Sequence, residues 1–132
     1  MPNKPIKQGY KLYAIAASGY IYYFIWSSKK HGQVEITHKK GLTNTGSMVA
    51  QLVRRLEAIE PGLYTIYLDN YFTSIPLFKK LRDKGYGACG TTRPHLSGKK
   101  WPKMITELKD QASKLPWGTI YGEEVDGVLC IG

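Results

Sequence analysis

Cysteine is scarce in this chain of 132 residues: only two occur, Cys89 and Cys130. They form no Cys-x-x-Cys pair, and His31, His38 and His95 stand at no zinc-ligand spacing, which argues against a zinc ribbon or a disulfide scaffold. Both cysteines fall in apolar, strand-like stretches, so they read as reduced, buried thiols in a reducing compartment. Long apolar runs are absent too. The longest, Tyr20 to Trp26, is strand-length and well short of the ~18 residues of a membrane span. The opening Met1-Pro2-Asn3-Lys4-Pro5 lacks an apolar core and a small-residue cleavage site, so no signal peptide is expected. Acidic residues are also few, ten against nineteen Lys and Arg, for a net charge of +9 and a pI near 9.5.

What is present fits one folded domain or part of a larger one. Hydrophobic residues make up 42% and aromatics 12%, enough for a core, and the mean hydropathy of −0.32 excludes a membrane bundle. The positive excess favours a polyanionic partner, nucleic acid being the commonest, although lysine-rich surfaces also serve solubility alone. Its distribution is uneven: residues 1–44 carry seven lysines against the single acid Glu35, whereas Tyr121 to Gly132 hold three acids and no base.

The order of elements reads as α/β. Tyr10–Ala17 and Tyr20–Trp26 flank Ser18-Gly19 as a β-hairpin, the first strand having apolar residues on both faces. Ser27 to Lys40 is a basic loop with a brief strand-like Val34–Ile36. Met48, Val49, Leu52, Val53, Leu56 and Ile59 recur at helical spacing after a cap at Asn44 or Thr45, and Pro61-Gly62 stop the helix. Leu63–Leu68 suits a central strand covered from both sides. Thr73 or Ser74 caps a second helix with Pro76 in its first turn and Gly85 as its left-handed stop. Tyr86–Thr92 is a strand of small residues, where Gly87, Ala88 and Gly90 permit close approach to the backbone. Beyond Arg93, residues 94–103 form a loop, 104–114 a short helix and 117–131 two strands around Gly122 to Gly127.

Asp69 is the carboxylate in a telling place, directly after the central strand and before the polar turn Asn70-Tyr71-Phe72-Thr73-Ser74. Functional groups gather at the carboxyl ends of strands in open α/β sheets, and an Asp there suits a hard divalent cation. An Asp so placed also commonly caps the following turn through its own backbone. The pair Asp69-Asn70 does not decide between the two.

Three longer stretches bear on that choice: residues 1–11 (Met-Pro-Asn-Lys-Pro-Ile-Lys-Gln-Gly-Tyr-Lys), 68–77 (Leu-Asp-Asn-Tyr-Phe-Thr-Ser-Ile-Pro-Leu) and 86–93 (Tyr-Gly-Ala-Cys-Gly-Thr-Thr-Arg). In order and separation they resemble the piggyBac-type transposase family. The resemblance implies a partial RNase H-like catalytic core over residues 1–93, a mixed sheet with flanking helices, followed over 94–132 by the start of a variable, β-containing insertion. It implies DNA as partner, a nuclear location, insertion at TTAA sequences and a homodimer as in transposases. It further implies Mg²⁺ held by three carboxylates, with Asp69 as the second, both catalytic and metal-binding, and Asn70, Phe72 and Thr73 shaping the turn behind it. In such two-metal sites the ions stabilise the attacking and leaving oxygens of an in-line displacement. The first family carboxylate would precede the Pro-Asn-Lys-Pro motif and the third would follow the insertion. None of Glu107, Asp110, Glu123, Glu124 or Asp126 sits in the pattern expected for it, so the chain is expected to be inactive alone, with a sheet edge exposed where the first strand would pair. Lys4, Lys7 and Arg93 are the expected DNA contacts, and the Lys99-Lys100-Trp101-Pro102-Lys103 cluster is a further basic and aromatic candidate. Lys29-Lys30 and Lys39-Lys40 resemble a weak nuclear-import signal. The alternative is a non-catalytic, transposon-derived DNA-binding or interaction module.

Overall fold

A computed structural model describes residues 9, 11–27, 36–92 and 102–132. Strands β1 (Leu12–Ala17) and β2 (Tyr20–Trp26) pair antiparallel. Their turn uses Ser18 and Gly19, both left-handed at φ 49° and 81°. That two-residue geometry matches the twist of the strands it joins. Tyr13, Ile15 and Ile25 face the protein, while Leu12, Tyr20, Ile21, Phe24 and Trp26 are exposed. The hairpin is thus covered on one face, not two. Its side chains alternate on either side of a register shift between Ile15 and Ala16, and no described layer packs on the outer set.

Helix α1 (Asn44–Ile59) begins one position earlier than the sequence suggests. Thr43 is the N-cap, its hydroxyl accepting from Gly46 N at 3.1 Å. Asn44 and Thr45 have capping chemistry as well, and burial of Gly46 and Ser47 selects the register. Pro61 follows the C-cap Glu60 and prevents continuation. Strand β3 (Thr65–Leu68) runs parallel to β4 (Gly87–Gly90), with helix α2 (Ile75–Asp83) as crossover. At the end of α2, Gly85 has φ 85°, and Tyr86 N donates to Leu81 O while Gly85 N donates to Arg82 O. That pair of bonds is the glycine-dependent stop foreseen from the sequence. β3 is covered on one side only: Ile66 is buried, whereas Tyr67 is 78% exposed. Cys89 on β4 likewise faces outward and is exposed, because its neighbour Ala88 takes the inward position; Cys130 is the buried thiol.

One core joins α1, β3 and α2 through Val49, Val53, Ile66, Leu77, Leu81 and Tyr86. A second joins Ile25 of the hairpin to Met48 and Leu52 of α1, with Phe72 touching both. Glu57 ties α1 to the end of α2. It accepts from Tyr86 Oη at 2.7 Å and from Lys84 Nζ at 3.0 Å, which holds its carboxyl below the usual carboxylate range. Burial and the bond to Glu57 push the Tyr86 phenol up to about 12.

Residues 103–114 form helix α3 (Lys103–Gln111) and a 3₁₀ turn, and β5 (Gly122–Val125) pairs antiparallel with β6 (Val128–Ile131). The turn of this hairpin is Asp126-Gly127, so Gly122 opens a strand and does not belong to a longer loop. Cys130 packs with Ile75 at the start of α2, and Arg82 donates to the carbonyls of Asp126 and Gly127.

The architecture is mixed α/β, built from small sheets and helices. The expected single mixed sheet is divided among the described residues into three two-stranded ladders. The cause is local. No described strand lies between β1 and β3, where a groove of about 590 Å³ opens over Val49, Leu52 and Leu56 of α1.

Candidate functional site

Asp69 leaves the carboxyl end of β3 and is exposed. The turn that carries it is held from below. Phe72 N and Thr73 N donate to the Asp69 carbonyl at 3.2 and 3.1 Å, and the Thr73 hydroxyl adds a third bond at 2.7 Å. Thr73 is 2% exposed and can be so because Gly90 across the ladder lacks a side chain. A Cβ there would strike the Thr73 hydroxyl and lie 2.7 Å from the Leu68 carbonyl. The small residues of β4 thus admit a neighbour to the backbone, and that neighbour is the Asp69 turn.

The Asp69 carboxylate spends one oxygen on its own turn: Oδ1 accepts from Tyr71 N at 3.0 Å. This is the capping role that the sequence left open. Among the described residues Oδ2 accepts no hydrogen bond from the protein. The capping and ligand readings are therefore compatible, because capping uses one carboxylate oxygen of an exposed side chain.

Of the other expected residues, Phe72 is half-buried and packs against both cores, Thr73 is buried, and Asn70 is half-buried in the turn. Lys4, Lys7 and Arg93 lie outside the described residues, as do Lys29-Lys30 and Lys99-Lys100-Trp101. A neighbour that sequence spacing did not reveal is an aromatic cluster at the same rim. Tyr13 of β1 stacks on Tyr71 with ring centroids 6.3 Å apart and meets Phe72 edge-on at 5.8 Å. Lys11 Nζ lies 5.0 Å from the Tyr13 ring centroid and 4.5 Å from that of Tyr71. Burial alone would raise the Tyr13 phenol, but hydrogen bonding with Tyr71, Ser27 and Lys11, together with the Lys11 charge, outweighs it and lowers the pKa. Tyr71 is shifted up, chiefly by its bond to Tyr13. The residues are nearly sixty positions apart in sequence, and only their aromatic character hinted at a contact. Elsewhere, Lys39, Arg54 and Arg55 border a hollow of about 360 Å³ beside α1.

No group of three His, Cys, Asp or Glu side chains that could hold a metal occurs among the described residues. One carboxylate does not fit a pair of divalent ions, so the described residues do not by themselves accommodate the implied Mg²⁺ site. No helix among them is long and apolar enough to cross a membrane.

Asp69 is thus a strand-end carboxylate on a parallel β-α-β unit, the place where open α/β sheets commonly gather functional groups. Comparison with known proteins makes the assignment specific. The family model described as Transposase IS4, a DDE transposase model, matches residues 1–126. The chain is 34% identical over 113 residues to human PiggyBac transposable element-derived protein 2, covering 81% of this chain and 18% of that protein. It is also 34% identical over 91 residues to human PiggyBac transposable element-derived protein 3, covering 69% of this chain and 15% of that one. The chain belongs to the IS4/piggyBac-type transposase family. It spans less than a fifth of the length of these relatives. No solved structure matches it.

Proposed function

We propose that this chain is a section of an RNase H-like transposase catalytic core that engages DNA and supplies Asp69 as one acidic group of a composite site, without cutting DNA by itself. The observation that carries the reading is Asp69, exposed at the strand rim with one carboxylate oxygen pinned by Tyr71 N. Among the described residues β1 and β3 border one groove, with β2 and β4 paired on their far edges, which supports the RNase H-like plan. The net charge of +9 supports DNA as the partner and the nucleus as the place where it is met. Division into a core over 1–93 and an insertion beginning at 94 belongs to the same proposal.

A duplex-binding and nicking assay on the full chain tests it. Wild type should bind duplex DNA with an affinity that falls steeply as salt rises, and should leave supercoiled plasmid intact with Mg²⁺ present. Asp69→Asn should raise DNA affinity about two- to three-fold, the scale of one exposed like-charge repulsion removed. Salt-independent binding would defeat the DNA reading. Mg²⁺-dependent nicking lost in Asp69→Asn would show a complete enzyme and overturn the composite-site reading. An unchanged affinity in Asp69→Asn would place Asp69 away from DNA and favour the non-catalytic interaction module.

A further inference from the structure

The side of α1 turned away from the groove is basic. Val49, Leu52 and Leu56 border the groove together with Asp69, whereas Gln51, Arg54 and Ala58 recur at helical spacing on the opposite side. The segment before the helix folds back over that side. Ser47 is fully buried there, and its hydroxyl accepts from Lys39 N at 3.0 Å. This bond holds Lys39 against the helix, and the hollow of about 360 Å³ lies between it and the two arginines.

The wall of this hollow carries Lys39, Arg54 and Arg55 and no carboxylate. Glu57, the acid on the same stretch of helix, is already engaged by Lys84 and Tyr86. Arg55 is steered from the hairpin, its guanidinium lying 5.4 Å from the Tyr23 ring centroid. A ring holds a guanidinium by its face, which leaves the N–H fork in the plane to meet an anion. Gln51 is on the wall as well, and its Oε1 is buried without a hydrogen-bond partner among the described residues. Such a group ordinarily finds a partner, and a half-turn of the amide offers an acceptor or a donor to a ligand. The hollow also continues. A smaller one of about 60 Å³ shares Lys39, Ala50 and Arg54 with it and extends to Lys80 on α2. None of the large exposed apolar side chains borders either hollow. A protein partner would be expected to seat an apolar anchor, whereas a nucleic-acid backbone asks only for positioned charge.

We infer that this seam is a second nucleic-acid contact of the chain, a track for successive backbone phosphates that runs from the Lys39–Arg54–Arg55 hollow towards Lys80. The track lies across α1 from Asp69, so it goes beyond the composite-site reading and shares with it only a polyanionic partner. Gln51 would supply the hydrogen bond that fixes the first phosphate in the hollow.

The test titrates the full chain with inorganic phosphate at constant ionic strength, then with a short DNA duplex, and follows both by NMR. Phosphate should shift the Gln51 side-chain amide and the Ala50 backbone amide saturably, and the duplex should displace it from the same signals. The double variant Lys39→Gln/Arg54→Gln should lose the phosphate response. Its slope of log affinity against log salt for the duplex should fall in magnitude by about 1.8, at about 0.9 per phosphate contact. The double variant Lys103→Gln/Lys114→Gln removes the same charge from two exposed positions elsewhere and should keep the wild-type slope. Equal loss in both double variants would reduce the effect to net charge and overturn the track, as would an absence of phosphate shifts. Shifts that the duplex leaves in place would assign the hollow to a free phosphorylated ligand, and equal displacement by a Glu-rich peptide would assign it to protein; either overturns the nucleic-acid track. Salt-dependent duplex binding that leaves these signals unmoved would defeat the track and spare the Asp69 reading. An Asp69→Asn variant of unchanged affinity, with the signals still moved by duplex, would do the converse.

Discussion

Two glycines of β4, three positions apart, should respond very unequally to the same added methyl group. At Gly90 a Cβ would meet the Thr73 hydroxyl and lie 2.7 Å from the Leu68 carbonyl oxygen. The second obstacle is backbone in the adjacent strand and can yield only if the ladder opens. At Gly87 the nearest atom is the Thr65 hydroxyl at 2.8 Å, the end of an exposed side chain that can rotate away. Overpacking against fixed atoms costs roughly 1–3 kcal/mol, and Gly90→Ala belongs in the upper part of that range because both neighbours are held by hydrogen bonds. For Gly87→Ala the clash is relieved by rotation, and removing a strand glycine returns roughly 0.5–1 kcal/mol. The net change there should lie within about 0.5 kcal/mol of zero. In thermal unfolding followed by far-ultraviolet circular dichroism, Gly90→Ala should lower Tm by about 6–12 °C, at the few degrees per kcal/mol usual for a domain of this size. Gly87→Ala should stay within about 2 °C of wild type on the same scale. Equal losses at the two positions would refute the argument, as would a harmless Gly90→Ala, since Thr73 would then not be wedged under the Asp69 turn.

Tyr86→Phe should destabilise by about 1 kcal/mol at neutral pH, because a half-buried Glu57 loses its shortest bond but keeps Lys84 and solvent. Glu57 is depressed in the folded state, so its contribution is present above the unfolded carboxylate value and fades as pH falls through the lower folded one. Denaturant curves of wild type and Tyr86→Phe should therefore converge in acid. Tyr86 is raised to about 12, so its contribution holds below the ordinary phenol value and is lost as pH climbs from there towards 12; the variant should escape that alkaline loss. Tyr71→Phe removes the hydroxyl that bonds to Tyr13, and the Tyr13 phenol should titrate higher than in wild type by NMR of ring-labelled tyrosine; no change would mean that Ser27 and Lys11 set it. Arg82→Ala should speed amide exchange about five-fold over Val125–Val128, the equivalent of about 1 kcal/mol of lost side-chain bonds, while β3 and β4 are unaffected.

Much of this architecture is written locally. The Ser18-Gly19 turn, the apolar face of α1, the stop at Gly85 and the exposure of Asp69 at a strand end all follow from residues within a few positions of one another. What the sequence misread depends on a neighbouring layer. Apolar residues on both sides of Leu63–Leu68 suggested a doubly covered strand, yet Leu63 is 85% exposed and only the α1 side is packed. Periodicity records which side chains are apolar; it does not record whether a second layer is there to meet them. Thr43 caps in place of Asn44 or Thr45 for a related reason: all three can cap, and burial of Ser47 decides among them. The contact of Lys11 and Tyr13 with Tyr71 is formed only when β1 is brought to the rim of β3. The kinship itself was legible because the three motifs are long and ordered. The family match over residues 1–126 spans the same stretches.

The placement of the two strand ladders carries the functional reading, and nuclear Overhauser contacts between aromatic rings test it most directly. Asp69 at a rim bordered by β1 predicts cross-peaks from Tyr13 to Tyr71 and Phe72. Contacts from Tyr13 to Tyr64, with none to Tyr71, would reverse the hairpin against β3 and remove the transposase-like site.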